Sequence, residues 1–220
     1  MRLLVLGTVA GLIAGSPRAA TAQGADMARY YRASIRAIEH EKAAEVLNKA
    51  MKGKKPEEAR AAGQQLAARG TARLKTEDLK RRAELMLDFT SQAGAKICGA
   101  WSRGTATPDQ TTSMVAKLDS AAFDAWMLLS VRAMVSEVRG KPKPFNGSDQ
   151  DMTKMFGALA TAMTPAENDR FHAVMTGFAK ASNEDACWFG QQLYRSALAL
   201  PGKQREHALK TLVWIETRPS

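Results

Sequence analysis

Only two cysteines and three histidines occur in the 220 residues. Cys98 and Cys187 stand 89 positions apart, and His40, His172 and His207 fall in different predicted helices. A zinc site needs four nitrogen or sulfur ligands brought together by short spacings, and no such spacing is present. The chain also lacks H-E-x-x-H, G-x-S-x-G, G-x-G-x-x-G and a P-loop, so no metalloprotease, serine-hydrolase, dinucleotide or nucleotide-triphosphate chemistry is written in it. No catalytic residue, metal site or cofactor is assigned. Alternating apolar and polar runs of useful strand length are missing as well. The longest apolar run after the N-terminus, "AAFDAWMLLSVRAMV" (121–135), is interrupted by Asp124 and Arg132. It falls short of the roughly 20 residues that cross a bilayer, and it reads as a central core helix.

The chain opens with "MRLLVLGTVAGLIAGSPRAATA". One positive charge, an apolar run to about Gly15, a break at Pro17 and Ala20-Thr21-Ala22 follow the layout of a secretory signal. Residues 1–22 are therefore expected to be a signal peptide cleaved after Ala22, delivering the protein to the periplasm or the exterior. "LIAGS" offers Ser16 where a lipid-anchored form would need cysteine, and no twin-arginine pair is present. No transmembrane segment is expected after cleavage.

Charge is unevenly spread. The whole chain carries 32 Lys+Arg against 22 Asp+Glu, a formal net charge of +10. Residues 26–82 hold 15 basic and 8 acidic side chains, whereas residues 83–220 hold 15 and 14. Lys49, Lys52, Lys54, Lys55, Arg60, Arg69, Arg73, Lys75, Lys80, Arg81 and Arg82 cluster around two expected helix junctions. Such a density can focus a positive field on an anionic partner, and it is also what a solvated, solubilising face looks like. Of these, Lys49, Lys52, Lys54, Lys55, Arg60, Arg73, Lys75, Lys80, Arg81 and Arg82 are the candidate contacts to an acidic protein or an anionic envelope surface. Only Tyr30 and Tyr31 are interleaved with that charge, too few aromatics for base stacking, so nucleic acid is disfavoured.

Breakers and caps read as helices throughout. Met27, Tyr31, Ile35, Ile38, Val46, Leu47 and Met51 mark one apolar face from Asp26 to about Lys52. "KGKKPEE" leads into an Ala- and Gln-rich helix from Pro56 to about Arg69 with little to bury, expected to be mobile or to pack late. A third helix runs from Thr76 to Cys98 and Gly99, with Leu79, Ala83, Met86, Thr90, Ala93 and Ile97 as its stripe. "ATPDQ" and "TPAE" are capping boxes with Pro at the first helical position, and "SNED" opens a further helix with Ser182 as cap. The expected fold is all-α, an irregular bundle of about seven or eight helices. A basic helical region (23–82) precedes a disulfide-stapled helical domain (83–220).

In an oxidising compartment an even, widely separated cysteine pair most simply forms one disulfide. Cys98–Cys187 would staple the third helix to the penultimate one and enclose nearly 90 residues, worth roughly 4 to 5 kcal/mol in the chain-entropy model. Trp101 and Trp188, close in sequence to the two sulfurs, are expected to shield the bridge. Asp169 and His172 stand at i, i+3 and could pair as acid and base, or simply meet on a helix surface. "EHEKAAE" places His40 among Glu39, Glu41 and Glu45 without convergence. "ATPDQ" (106–110) and "MTPAE" (163–167) are similar, over five residues each, to the "LTxxQ" motif of small, exported, basic, all-helical periplasmic chaperones. Both lack the leading Leu and the second has Glu167 for Gln; capping chemistry accounts for both, and no family is assigned on them. The leading expectation is an exported non-enzymatic binding protein using its basic surface, in a chaperone-like or toxin-neutralising role. The alternative is an all-helical periplasmic enzyme whose site forms only in three dimensions.

Overall fold

The computed structural model describes residues 20–217, with side chains from residue 28 onward except those of residues 108, 109 and 112. The expected signal segment falls largely on residues 1–19, which lie outside the described residues. Among the described residues the chain is all-helical, without strands, and carries one disulfide. The α-helices among the described residues number eleven, not seven or eight. Two spans read as continuous are in fact broken. The first divides into α1 (Ala20–His40) and α2 (Ala44–Met51), parted where Lys42 takes a left-handed backbone with φ 50°. The third divides at Gly94 into α4 (Thr76–Gln92) and α5 (Ala95–Ser102). The remaining helices are α3 (Pro56–Thr71), α6 (Pro108–Ala116), α7 (Ser120–Arg139), α8 (Asp149–Thr161), α9 (Pro165–Thr176), α10 (Asn183–Ala199) and α11 (Gly202–Thr217). A 3-10 turn, Phe178–Lys180, separates α9 from α10.

The helix starts follow the capping chemistry. Thr107 Oγ1 accepts from the Gln110 N–H, and Gln110 Oε1 accepts from the Thr107 N–H at 2.8 Å. Thr164 and Glu167 repeat the exchange, with 2.9 Å from the Thr164 N–H to Glu167 Oε2. Ser182 Oγ accepts from the Asp185 N–H at 3.0 Å. A further box at Ser148 and Asp151 opens α8. Each satisfies backbone donors that an uncapped end leaves orphaned, worth about 1 kcal/mol.

Two compact units make up the chain, one of residues 20–75 and 119–144, the other of residues 76–118 and 145–217. The boundary expected from charge, at residues 82 and 83, falls inside α4. Packing follows the apolar stripe of that helix, which belongs whole to the second unit.

In the first unit α1, α2 and α3 pack on α7, the run read as a core helix, which buries Phe123, Met127, Val131, Met134 and Val135. The face α1 presents is Tyr30, Ala33, Ser34, Ala37 and Ile38. Tyr31, expected in the stripe, is 36% exposed. Tyr30 takes its place, edge-on to Phe123 with ring centroids 5.1 Å apart, and burial raises its hydroxyl pKa to about 12. The Ala- and Gln-rich α3 is neither loose nor idle. It buries Ala59 and Gly70, and a Cβ at Gly70 would sit 1.9 Å from the Ala133 carbonyl oxygen. Small side chains here let two backbones meet, so dispersion between close-packed atoms replaces burial of large groups.

In the second unit α10 is the centre, contacted by α4, α5, α8, α9 and α11. Leu79, Ala83, Met86, Phe89 and Thr90 of α4 are buried as expected. The α5 and α10 backbones approach closely, since Cβ atoms at Gly99 and Gly190 would meet Asn183 O at 2.5 Å and Ser102 Oγ at 2.3 Å. A second apolar cluster forms around Phe171, Val174 and Phe189, with Phe156, Phe178 and Trp188 against it.

Candidate functional site

The disulfide is formed. Cys98 on α5 and Cys187 on α10 are joined with Cα atoms 5.0 Å apart, and Gln191 Nε2 lies 3.5 Å from the Cys187 sulfur. Trp101 meets Phe89 edge-on at 5.6 Å and lies 6.3 Å from the Tyr194 ring. Trp188 lies under the Arg170 guanidinium, 4.2 Å from its centroid. With both sulfurs in one bond, neither cysteine is available as a thiolate nucleophile.

In the first unit Arg36, Arg69, Arg73 and Arg132 meet carboxylates. Arg73 Nε and Arg69 Nε lie 2.7 and 3.1 Å from the two oxygens of Glu137, and Arg73 Nη1 also donates to the Pro142 carbonyl. Arg36 pairs with Asp124 at 2.5 Å, and Arg132 with Glu41 at 2.6 Å. Partial burial opposes the charge on Glu41, but the Arg132 guanidinium and His40 outweigh it and hold its pKa below the ordinary glutamate value. Arg60, on α3, is half-buried. The lysines differ. Lys49 on α2, Lys52, Lys54 and Lys55 on the α2–α3 turn, and Lys75 after α3 are exposed, and none has an ion pair among the described residues. Gly53 makes the turn possible at φ 79°, a conformation that costs a residue with a side chain more than it costs glycine.

Lys80, Arg81 and Arg82 belong to α4 of the second unit. Arg81 meets Glu84 at 3.1 Å. Arg82 is turned inward and donates from Nη2 to Glu216 Oε2 at 2.6 Å. Tyr194, buried on α10, donates its hydroxyl to the other oxygen of Glu216. Burial and the adjoining carboxylate push the Tyr194 hydroxyl far above the ordinary tyrosine range, so it stays protonated and cannot serve as a base. Burial opposes the Arg82 charge, yet the Glu216 carboxylate outweighs it and keeps the guanidinium ionised. The three groups satisfy one another and clasp α4, α10 and α11. Residues at 82, 194 and 216 leave no spacing by which sequence could have joined them.

Asp169 and His172 are both exposed on α9, with no hydrogen bond between them among the described residues. His40 lies 3.2 Å from Glu41, whose carboxylate chiefly serves Arg132. Among the described residues no group of three His, Cys, Asp or Glu could hold a metal ion, and no helix is long and apolar enough to cross a membrane. Of the sequence candidates, the structure draws Arg73, Arg81 and Arg82 into ion pairs and leaves Lys49, on α2, and Lys52, Lys54 and Lys55, on the turn that follows it, exposed. Comparison of the chain with protein families, with curated proteins and with solved structures finds no match in any of the three.

Proposed function

We propose that the protein is an exported, non-enzymatic helical binding protein whose basic first unit engages an anionic partner, either an acidic protein or an anionic component of the envelope. One observation carries this reading. Arg36, Arg69, Arg73 and Arg132 of that unit are spent on internal carboxylates, whereas the lysines from 49 to 55 stand exposed, with no ion pair among the described residues. A cluster of unpaired cations keeps its field for an outside charge. Export is supported by the signal-like residues 1–22 and by a disulfide of the kind oxidising compartments maintain. A chaperone-like or toxin-neutralising role fits the same surface.

The test is binding of the protein lacking residues 1–22 to two anionic probes, poly-L-glutamate and phosphatidylglycerol vesicles, at ionic strengths of about 0.03 and 0.3 M. Retention by at least one probe at the lower strength, weakening at the higher, is the expected result. Failure with both probes at the lower strength would overturn the reading.

A further inference from the structure

Lys49 at the end of α2 and Lys52, Lys54 and Lys55 of the α2–α3 turn fall within seven residues, all exposed. Its backbone folds back through the Lys52 N–H to the Lys49 carbonyl and the Lys54 N–H to the Met51 carbonyl, so the four stems leave a short, closed turn. Met51 points inward, 4% exposed. At the start of α3 Glu58 accepts from the Lys55 N–H at 2.9 Å. Glu57 and Glu58 are exposed beside the lysines, and four lysines against two carboxylates leave the positive charge in excess.

We infer that this turn is a contact surface for the anionic headgroups of a lipid layer; the inference rests on the anion-binding reading and narrows its partner. Protein interfaces concentrate their strength in buried aromatic and arginine anchors and are depleted in lysine. The exposed large hydrophobics among the described residues are Tyr31 and Val138, and neither lies on the turn. Its four cations are compact, strongly hydrated point charges on flexible stems, without the planar fork that fixes a carboxylate in place. A headgroup layer needs no fork and no apolar anchor. It presents diffuse, mobile negative charge that several lysines meet at once, each retaining most of its freedom.

Co-sedimentation with vesicles tests this. The protein lacking residues 1–22 is compared with a variant carrying Lys49→Gln, Lys52→Gln, Lys54→Gln and Lys55→Gln. A control of equal charge carries Lys96→Gln, Lys154→Gln, Lys180→Gln and Lys203→Gln, all exposed positions of the second unit. Circular dichroism confirms that all three proteins are folded. Binding to vesicles of phosphatidylglycerol in phosphatidylcholine is expected, with none to phosphatidylcholine alone. Each turn lysine changes partition about fivefold, so the turn variant loses roughly two orders of magnitude or more while the control changes only a few-fold. An equal loss in the control overturns the assignment to the turn. Absence of vesicle binding with poly-L-glutamate binding retained overturns the lipid partner and leaves the anion-binding reading standing. Absence of both defeats the two together.

Discussion

Arg82 Nη2 lies 2.6 Å from Glu216 Oε2, tying α4 to the end of α11. The Tyr194 hydroxyl completes the group from α10. Glu216→Gln keeps the shape of the side chain but strands a guanidinium that is only 14% exposed. Its expected cost is about 2 kcal/mol in urea unfolding, below that of a fully buried pair because Glu216 reaches solvent. Tyr194→Phe removes one donor and is expected to cost about 1 kcal/mol. A Glu216→Gln variant as stable as the parent would show that the clasp contributes nothing.

The disulfide joins two helices of the second unit and closes a loop of 89 positions, which includes residues 119–144 of the first. Replacing Cys98 and Cys187 together with Ala is expected to cost roughly 4 kcal/mol, lowering the melting temperature by on the order of 10 °C. Intact mass of the exported protein is expected to show loss of residues 1–22 and a mass two hydrogens below the dithiol form. Two thiols alkylated without denaturant would contradict the bridge; an uncleaved N-terminus would contradict export by signal cleavage.

Glycines of α3 separate two effects. Gly70→Ala drives a methyl group into the Ala133 carbonyl, 1.9 Å away, and is expected to cost about 3 kcal/mol or more as α3 and α7 part. At Gly63 the nearest atoms are Met51 Cε at 3.8 Å and Met134 Sδ at 3.9 Å, ordinary contact distances. Gly63→Ala is therefore expected to stabilise by about 0.5 kcal/mol through helix propensity. Thermal melts of the two variants check the pair, and equal effects would contradict the close α3–α7 approach.

Acid should destabilise the fold through named carboxylates. The Ser148 hydroxyl holds Asp151 below its ordinary pKa, and the Thr164 N–H and hydroxyl do the same for Glu167. Arg170 with Ser182 lowers Asp185, and Lys210 lowers Glu206. Glu41 is lowered too, Arg132 outweighing the effect of burial. A carboxyl whose folded pKa lies below its unfolded value contributes stability that is complete above the unfolded value and is lost as pH falls through the folded one. The melting temperature is thus expected to hold from neutral pH to about pH 5 and to fall below about pH 4. A melting temperature unchanged at pH 3 would contradict these assignments.

Local chemistry carried much of the fold into the sequence. The capping boxes at Thr107 and Thr164, the cap at Ser182, the buried run 121–135 and the Cys98–Cys187 bridge all follow from short-range patterns or simple pairing. What stayed hidden depends on three dimensions. Lys42 breaks a helix without a glycine, and Tyr30 rather than Tyr31 turns inward because Phe123, 93 positions later, offers its ring. Low hydrophobicity made α3 look unattached, although Gly70 lets its backbone approach Ala133 of α7 closely. Charge density picked out the basic front but could not separate arginines that face internal carboxylates from lysines that do not. Arg73 and Glu137, 64 positions apart, have no sequence sign of their pairing.

Lysine-selective acylation read by mass spectrometry, with and without phosphatidylglycerol vesicles, tests the central claim most directly. Loss of reactivity at Lys49, Lys52, Lys54 and Lys55, with Lys96, Lys154, Lys180 and Lys203 unchanged, is the predicted result. Protection of the second set with the turn left reactive, or no protection at either, would contradict a binding surface on the α2–α3 turn.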